Sequence, residues 1–245
     1  MKTNKEQRDI TIISEIAPQH MGSMSEVKRM VLQSKLNGAD IVKLQLYSSK
    51  KLWGDDKRLY LDTTKNELKE INNFCKDNDI ELSASIFDEE KLEWCEELDF
   101  QKYKIASRTI KDDISLCEKI ISTNKEIIAS LGMYDFEKNG VPFNKNNIKY
   151  LYCVAKYPTQ LYEIDMPDFE NSFFSGFSDH TVGIDACLFA ISRGAKIIEK
   201  HFSNNKSLNV QTQAAHTGAM DMHDLENIRR FSDSFNLLRK NVKKK

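Results

Sequence analysis

Short runs of β-branched and aliphatic residues recur along the chain, and most are followed by a stretch whose apolar positions return every three or four residues. The first run, Ile10 to Ala17, contains TIISEIA and is closed by Pro18, as suits a buried parallel strand. After Ser25, Val27, Met30, Val31 and Ser34 fall on one helix face with Leu32 and Leu36 beside it, and Asn37 and Gly38 stop the pattern. Ile41 to Tyr47 alternates Val42, Leu44 and Leu46 against Lys43 and Gln45, which predicts a strand. A polar loop from Ser48 to Asp62, holding Trp53 and Gly54, leads to a helix over Thr64 to Asn78. Strands are then expected at Glu81 to Phe87, Lys102 to Ser107, Glu126 to Gly132 and Lys149 to Ala155, with helices at Glu89 to Leu98 and Ile114 to Ser122.

The stretch Ser175 to Phe202 is the most informative. Two short segments, Ser175 to His180 and Ala195 to Phe202, flank a compact amphipathic segment of about three turns, which is a βαβ unit. A last helix is predicted from about His223 to Arg239, whereas Tyr162 to Asn171 shows little helical periodicity. Strands begin near residues 10, 41, 81, 102, 126, 149, 175 and 195. Eight strand and helix repeats with no low-complexity linker predict an α/β fold, a closed (β/α)8 TIM barrel forming a single domain over residues 1–245.

Such a barrel carries its active site at the C-terminal ends of its strands. Glu15, Lys43, Gln45, Ser85, Lys104, Ser107, Ser130, Ser178, His180, Glu199 and His201 all fall late in a predicted strand or just after it. Alternation puts Ser178 with His180 on one face, and Glu199 with His201 on one face of the next strand. Parallel neighbours lie about 4.8 Å apart, so both imidazoles can reach one metal ion at about 2.1 Å. The other reading of each histidine is a satisfied core or loop residue. Lysines buried on two different strands require neutralisation. Lys43 and Lys104, with the hydroxyls of Ser107, Ser130 and Ser178, suggest a phosphate or phosphate-plus-carboxylate site. A Lys–Glu pair inside the barrel, using Glu15 or Glu199, is the alternative.

The chain has 245 residues, 40% of them hydrophobic, enough for one large core. Its 36 Lys and Arg against 37 Asp and Glu leave a net charge of -1, which argues against a nucleic-acid partner bound across the whole surface. Only Lys243 to Lys245 form a basic run, read as solvated chain end. Cys75, Cys95, Cys117, Cys153 and Cys187 show no CxxC pairing, which predicts free buried thiols in a reducing compartment rather than disulfides or zinc. The polar start MKTNKEQRDI has no apolar stretch long enough for a signal peptide or membrane span, so a cytoplasmic soluble protein with no membrane partner is expected.

In order and spacing, SEIAPQHMGS, GADIVKLQLY, YKIAS, ASLGM, KYPT, GFSDHT and GAKIIEKHFS resemble the sialic acid synthase family, over essentially residues 10 to 230. That family makes nonulosonic acids from phosphoenolpyruvate and an aldose, on a (β/α)8 barrel that uses a divalent ion, manganese or magnesium, and forms dimers. The resemblance implies His180 and His201 as metal ligands and Glu15 beside the metal and the reacting carbons. It implies Lys43, Ser85, Lys104, Ser107, Ser130 and Ser178 as the phosphoenolpyruvate site, with Tyr157 facing the sugar. Glu15, His180 and Glu199 are thus expected to be catalytic, and Gln45 to join the substrate-binding residues.

Some positions depart from the family pattern. Gln19 precedes His20 where Asn is usual, Ala155 stands where an amide side chain is frequent, and Ala214, Ala215 and His216 replace Pro-Asp-His. Most members continue into an antifreeze-like domain that lends an arginine to the partner subunit's sugar site, and this chain ends at Lys245. The phosphoenolpyruvate half therefore looks kept and the acceptor half altered, so N-acetylmannosamine is expected to be a poor substrate without a different aldose or a separate partner domain. Two other readings remain open. One is a related barrel lyase or aldolase using Lys43 or Lys104 as a Schiff base; the other is a non-catalytic sugar-acid or phosphate binder.

Overall fold

A computed structural model describes residues 8–206 and 217–242. Eight parallel strands close into a barrel in sequence order: β1 (Thr11–Glu15), β2 (Ile41–Leu46), β3 (Glu81–Ile86), β4 (Lys102–Ile105), β5 (Glu126–Ser130), β6 (Ile148–Cys153), β7 (Phe174–Asp179) and β8 (Ile197–His201). The (β/α)8 expectation holds. Helices cover the outside: α1 (Met24–Leu36), α2 (Ser49–Trp53), α3 (Lys65–Asp77), α4 (Glu89–Glu97), α5 (Ser107–Asp112), α6 (Ile114–Ser122), α7 (Phe136–Asn139), α8 (Asp185–Ser192) and α9 (Met222–Lys240).

Alternation along the strands divides the interior in two. Ile13, Ile41, Ile128, Leu151 and Ile197 form an apolar plug within the barrel, while a larger buried cluster packs the outer strand faces against the helices. The floor of the mouth is therefore water-excluding and rigid. The β7–β8 contact is close: a Cβ on Gly176 would lie 2.0 Å from the Ile197 carbonyl oxygen. Only glycine lets these two strands approach so closely.

Closure at the bottom depends on the last helix. Arg229 of α9 is buried and donates to the carbonyls of Gly38 at 2.9 Å and Ile10 at 3.2 Å, and pairs with Asp40. Gly38 takes φ 101° beneath it, where a side chain would both strain the backbone and strike the Arg229 stem. Capping fixes the long helices: Thr64 and Glu67 form a capping box on α3, and Asp221 and Asp224 do so on α9.

Several local expectations change. Residues 48–62 are not all loop, since they contain α2 and a 3-10 turn at Leu59–Leu61. Ser107 opens helix α5 rather than ending β4, and His180 stands one residue beyond β7. Leu36 is 81% exposed and so lies off the packed face of α1. Between β6 and β7 the crossover has no α-helix, only the 3-10 turn Leu161–Glu163. All five cysteines are free and buried, as expected. No helix among the described residues is long and apolar enough to cross a membrane. Ala214, Ala215, His216 and the Lys243–Lys245 run lie outside the described residues.

Candidate active site at the barrel mouth

A cavity of about 310 Å³ opens at the C-terminal ends of the strands. Every proposed site residue, from Glu15 on β1 to His201 on β8, lines it. Register explains the convergence. Glu15 pairs with Lys43 and with His201, Ser85 with Lys104, and Ser178 with Glu199, so polar side chains from neighbouring strands share one inward layer above the apolar plug.

Within this layer charges are paired. Lys43 contacts the Glu15 carboxylate directly, lies 3.7 Å from Glu199 and donates to Ser85 Oγ at 3.0 Å. Lys104 donates to Ser130 Oγ at 2.7 Å and stands 3.5 Å from Glu199. Glu199 also accepts from Ser178 Oγ at 2.8 Å. The Lys–Glu alternative raised by the sequence is thus realised by both glutamates, in the same place as the hydroxyl cluster that suits an anion. The two readings are compatible, because an entering anion can take over lysine donors that a carboxylate now holds.

Environment separates the protonation of these groups. Burial raises the Glu15 carboxyl even though Lys43 opposes it. Burial alone would also raise Glu199, but Lys104, Lys43 and the Ser178 hydroxyl outweigh it and hold its pKa at about 2. Burial works against charge on Lys43, yet Glu15 and Glu199 prevail and raise its pKa. Lys104 is instead lowered by burial, with Glu199 only partly compensating. The surroundings thus push the two carboxyls in opposite directions, Glu199 down and Glu15 up, and do the same to the two amines, Lys43 up and Lys104 down.

The histidines form the adjacent wall. Their ring centroids are 5.9 Å apart with planes inclined at 35°, and Tyr157 packs on His180 at 4.0 Å. His180 Nδ1 is 2.8 Å from the Val154 carbonyl, and His201 Nδ1 is 3.2 Å from Gln19 Oε1. Both acceptors require the proton on Nδ1, which leaves the Nε2 lone pair facing the cavity. Burial lowers His180 to about 4, and burial with the neighbouring His180 lowers His201 well below its ordinary value, so both rings are neutral near pH 7. Two neutral nitrogen donors oriented in this way fit a divalent ion. Among the described residues no cluster of three or more His, Cys, Asp or Glu side chains forms a closed metal cage.

The other expected residues take intermediate places. Ser107 Oγ accepts from the Gly132 amide at 3.0 Å, and Gln45 reaches the Ala17 carbonyl at 3.4 Å. Tyr157 remains 43% exposed at the rim. Ala155 lines the cavity where it presents only a methyl group. Sequence reasoning missed Trp53, Arg108, Met133 and Cys153, which line the same cavity. A tryptophan inside a polar loop and an arginine directly after Ser107 were the available signals.

Residues 30–243 match the family model described as the NeuB family, and the chain belongs to that family. It is 30% identical over 231 residues to the N,N'-diacetyllegionaminic acid synthase of Campylobacter jejuni, which covers 80% of this chain and 68% of that protein. It is 29% identical over 213 residues to an uncharacterized protein of Methanocaldococcus jannaschii, covering 80% of this chain but only 63% of the relative. The chain thus spans slightly less than two thirds of that archaeal protein. The crystal structure of an N-acetylneuraminic acid synthetase from Leptospira borgpetersenii, in complex with citrate, superposes with a TM-score of 0.84 over 96% of this chain and 87% of that one, at 23% identity. At that identity the match establishes the shared barrel.

Proposed function

We propose that the chain catalyses a phosphoenolpyruvate-dependent, aldol-type condensation with an aldose, giving a nonulosonic or related 3-deoxy-2-keto sugar acid and inorganic phosphate. The observation that carries this reading is the meeting of two buried lysines and four serine hydroxyls with two neutral histidines in one cavity. Lys43 and Lys104, with Ser85, Ser107, Ser130 and Ser178, hold the phosphate and carboxylate of phosphoenolpyruvate through charge-assisted hydrogen bonds. Fixing both anionic groups presents C3 to the acceptor in one orientation. His180 and His201 would hold the divalent ion, Mn²⁺ or Mg²⁺, through Nε2, and the ion when bound supplies Lewis-acid polarisation at the aldehyde oxygen.

The reaction forms one carbon–carbon bond between C3 of phosphoenolpyruvate and the aldehyde carbon, whose oxygen becomes a hydroxyl. Water then adds at C2, and the C2–O bond to phosphate breaks to leave the keto group. Glu15, raised by burial beside the lysine pair, exchanges the proton of this water. Glu199, held ionised, keeps Ser178 and Lys104 in place. Tyr157 and Gln45 contact the acceptor. Phosphoenolpyruvate carrying ¹⁸O in the bridging C2–O position tests the step: the label is expected in the released phosphate, whereas retention in a keto product would contradict it.

A second reading rests on Lys104 alone, whose lowered pKa suits an amine nucleophile of a Schiff-base lyase. Borohydride trapping with a keto acid separates the two, since only the lyase leaves a reduced adduct on Lys104.

A further inference from the structure

The charges of the mouth do not balance. Glu15 and Glu199, the carboxylates of the inward layer, are matched by Lys43 and Lys104. Arg108 also lines the cavity and is half-buried, yet no carboxylate lies within ion-pair distance of it among the described residues. Nor does its guanidinium make a hydrogen bond there. Its guanidinium lies instead over the Trp53 indole, 4.5 Å from ring centroid to guanidinium carbon.

Trp53 is itself fixed. Arg58 lies over the same indole at 4.4 Å, and the segment carrying both is closed by the Ser49 amide donating to Asp62 at 2.8 Å. Stacking an arginine on an indole restrains the guanidinium plane while leaving its N–H edge unused. An unpaired cation held at a cavity wall is built to receive an anion, and five forked donors favour a planar or tetrahedral oxyanion. Lys43 and Lys104 sit on the inward faces of β2 and β4, whereas Arg108 follows Ser107 in α5 and is held by the β2–α3 segment at the rim. The cation therefore addresses the part of a substrate that projects out of the barrel.

We propose that the acceptor aldose bears an anionic group remote from its aldehyde, a phosphate ester or a carboxylate, and that Arg108 restrained by Trp53 binds it. This rests on the condensation reading and makes Arg108 a specificity-determining residue. Trp53 acts through it as a positioning residue.

The test is steady-state kinetics of the manganese-loaded protein with phosphoenolpyruvate and matched acceptors: N-acetylhexosamines and pentoses, their terminal phosphates, and the corresponding uronic acids. An anionic member is expected to exceed its neutral parent at least tenfold in kcat/KM, and the phosphate and uronate arms identify which oxyanion is taken. Arg108→Gln should raise KM for that acceptor about ten- to hundredfold and remove the preference, while KM for phosphoenolpyruvate moves less than twofold. Trp53→Leu should produce a smaller loss in the same direction. Turnover with no anionic preference overturns the proposal, as does an Arg108→Gln effect confined to phosphoenolpyruvate. If no acceptor supports turnover, the condensation reading fails, and calorimetry with the sugar phosphates decides the anion site separately. Arg108-dependent binding of a sugar phosphate but not its neutral parent supports the site, and equal or absent binding rejects it.

Discussion

Asp179 and Lys200 form a fully buried ion pair of 2.6 Å between β7 and β8, and each immediately precedes one of the two histidines. They face outward where His180 and His201 face inward, as alternation dictates. Lys200 also donates to the Thr181 carbonyl at 2.7 Å, and Asp179 accepts from the Thr181 amide at 2.8 Å and the Cys187 thiol at 3.1 Å. The pair therefore pins the register that brings the imidazoles together.

Removing one member leaves an uncompensated buried charge, which costs about 3–5 kcal/mol, whereas replacing both by apolar residues of similar size costs far less. Lys200→Met or Asp179→Asn should each lower the urea midpoint strongly, and Asp179→Leu with Lys200→Met should recover most of the loss. Equal losses in single and double variants would show that the pair contributes little as a unit.

Acid sensitivity should arise in part from His20. Its Nδ1 accepts the Gly22 amide at 3.0 Å, which needs that nitrogen unprotonated, and burial lowers its pKa to about 4. The unfolded chain takes up a proton near pH 6.5 that the folded ring refuses until about pH 4. Stability therefore falls as pH drops through this window, by roughly 3 kcal/mol from this group, and flattens below it. Urea unfolding at pH 7.5, 5.5 and 4.5 in a chelator should show a shallower pH slope for His20→Gln than for the parent.

Anion binding should depend on both lysines. Lys43→Ala and Lys104→Ala are each expected to weaken phosphoenolpyruvate binding by about 10- to 150-fold, the equivalent of a charge-assisted contact of about 1.5–3 kcal/mol. Lys43→Ala should also destabilise the fold, because it leaves Glu15 and Glu199 without their shared counter-charge. Unchanged affinity in both variants by calorimetry would reduce the lysines to structural partners of the glutamates.

Metal binding should require both histidines. His180→Ala and His201→Ala are expected to lose tight Mn²⁺ binding while keeping the far-ultraviolet spectrum of the parent. Titration calorimetry that finds parent-like affinity in either variant would refute the ligand assignment.

The barrel and the inward layer were legible because both depend on periodicity. A period of two along Ile41 to Leu46 and Glu81 to Ile86 fixes which side chains turn inward, and polar residues in buried strands mark the mouth. What the sequence could not specify was pairing. Whether Glu15 or Glu199 meets Lys43 depends on barrel stagger, and both do. Trp53 and Arg108 escaped for another reason. They lie 55 positions apart, on short elements without a full period, and only closure of the barrel brings them into contact.

Phosphate release from phosphoenolpyruvate by the manganese-loaded protein tests the condensation most directly, measured against a panel of N-acyl hexosamines, tetroses, pentoses and their phosphates. Release is expected only when an aldose is present, with one 2-keto-3-deoxy acid formed per phosphate, and N-acetylmannosamine alone is expected to be a poor acceptor. Release that is independent of aldose, or none with any acceptor, would contradict it.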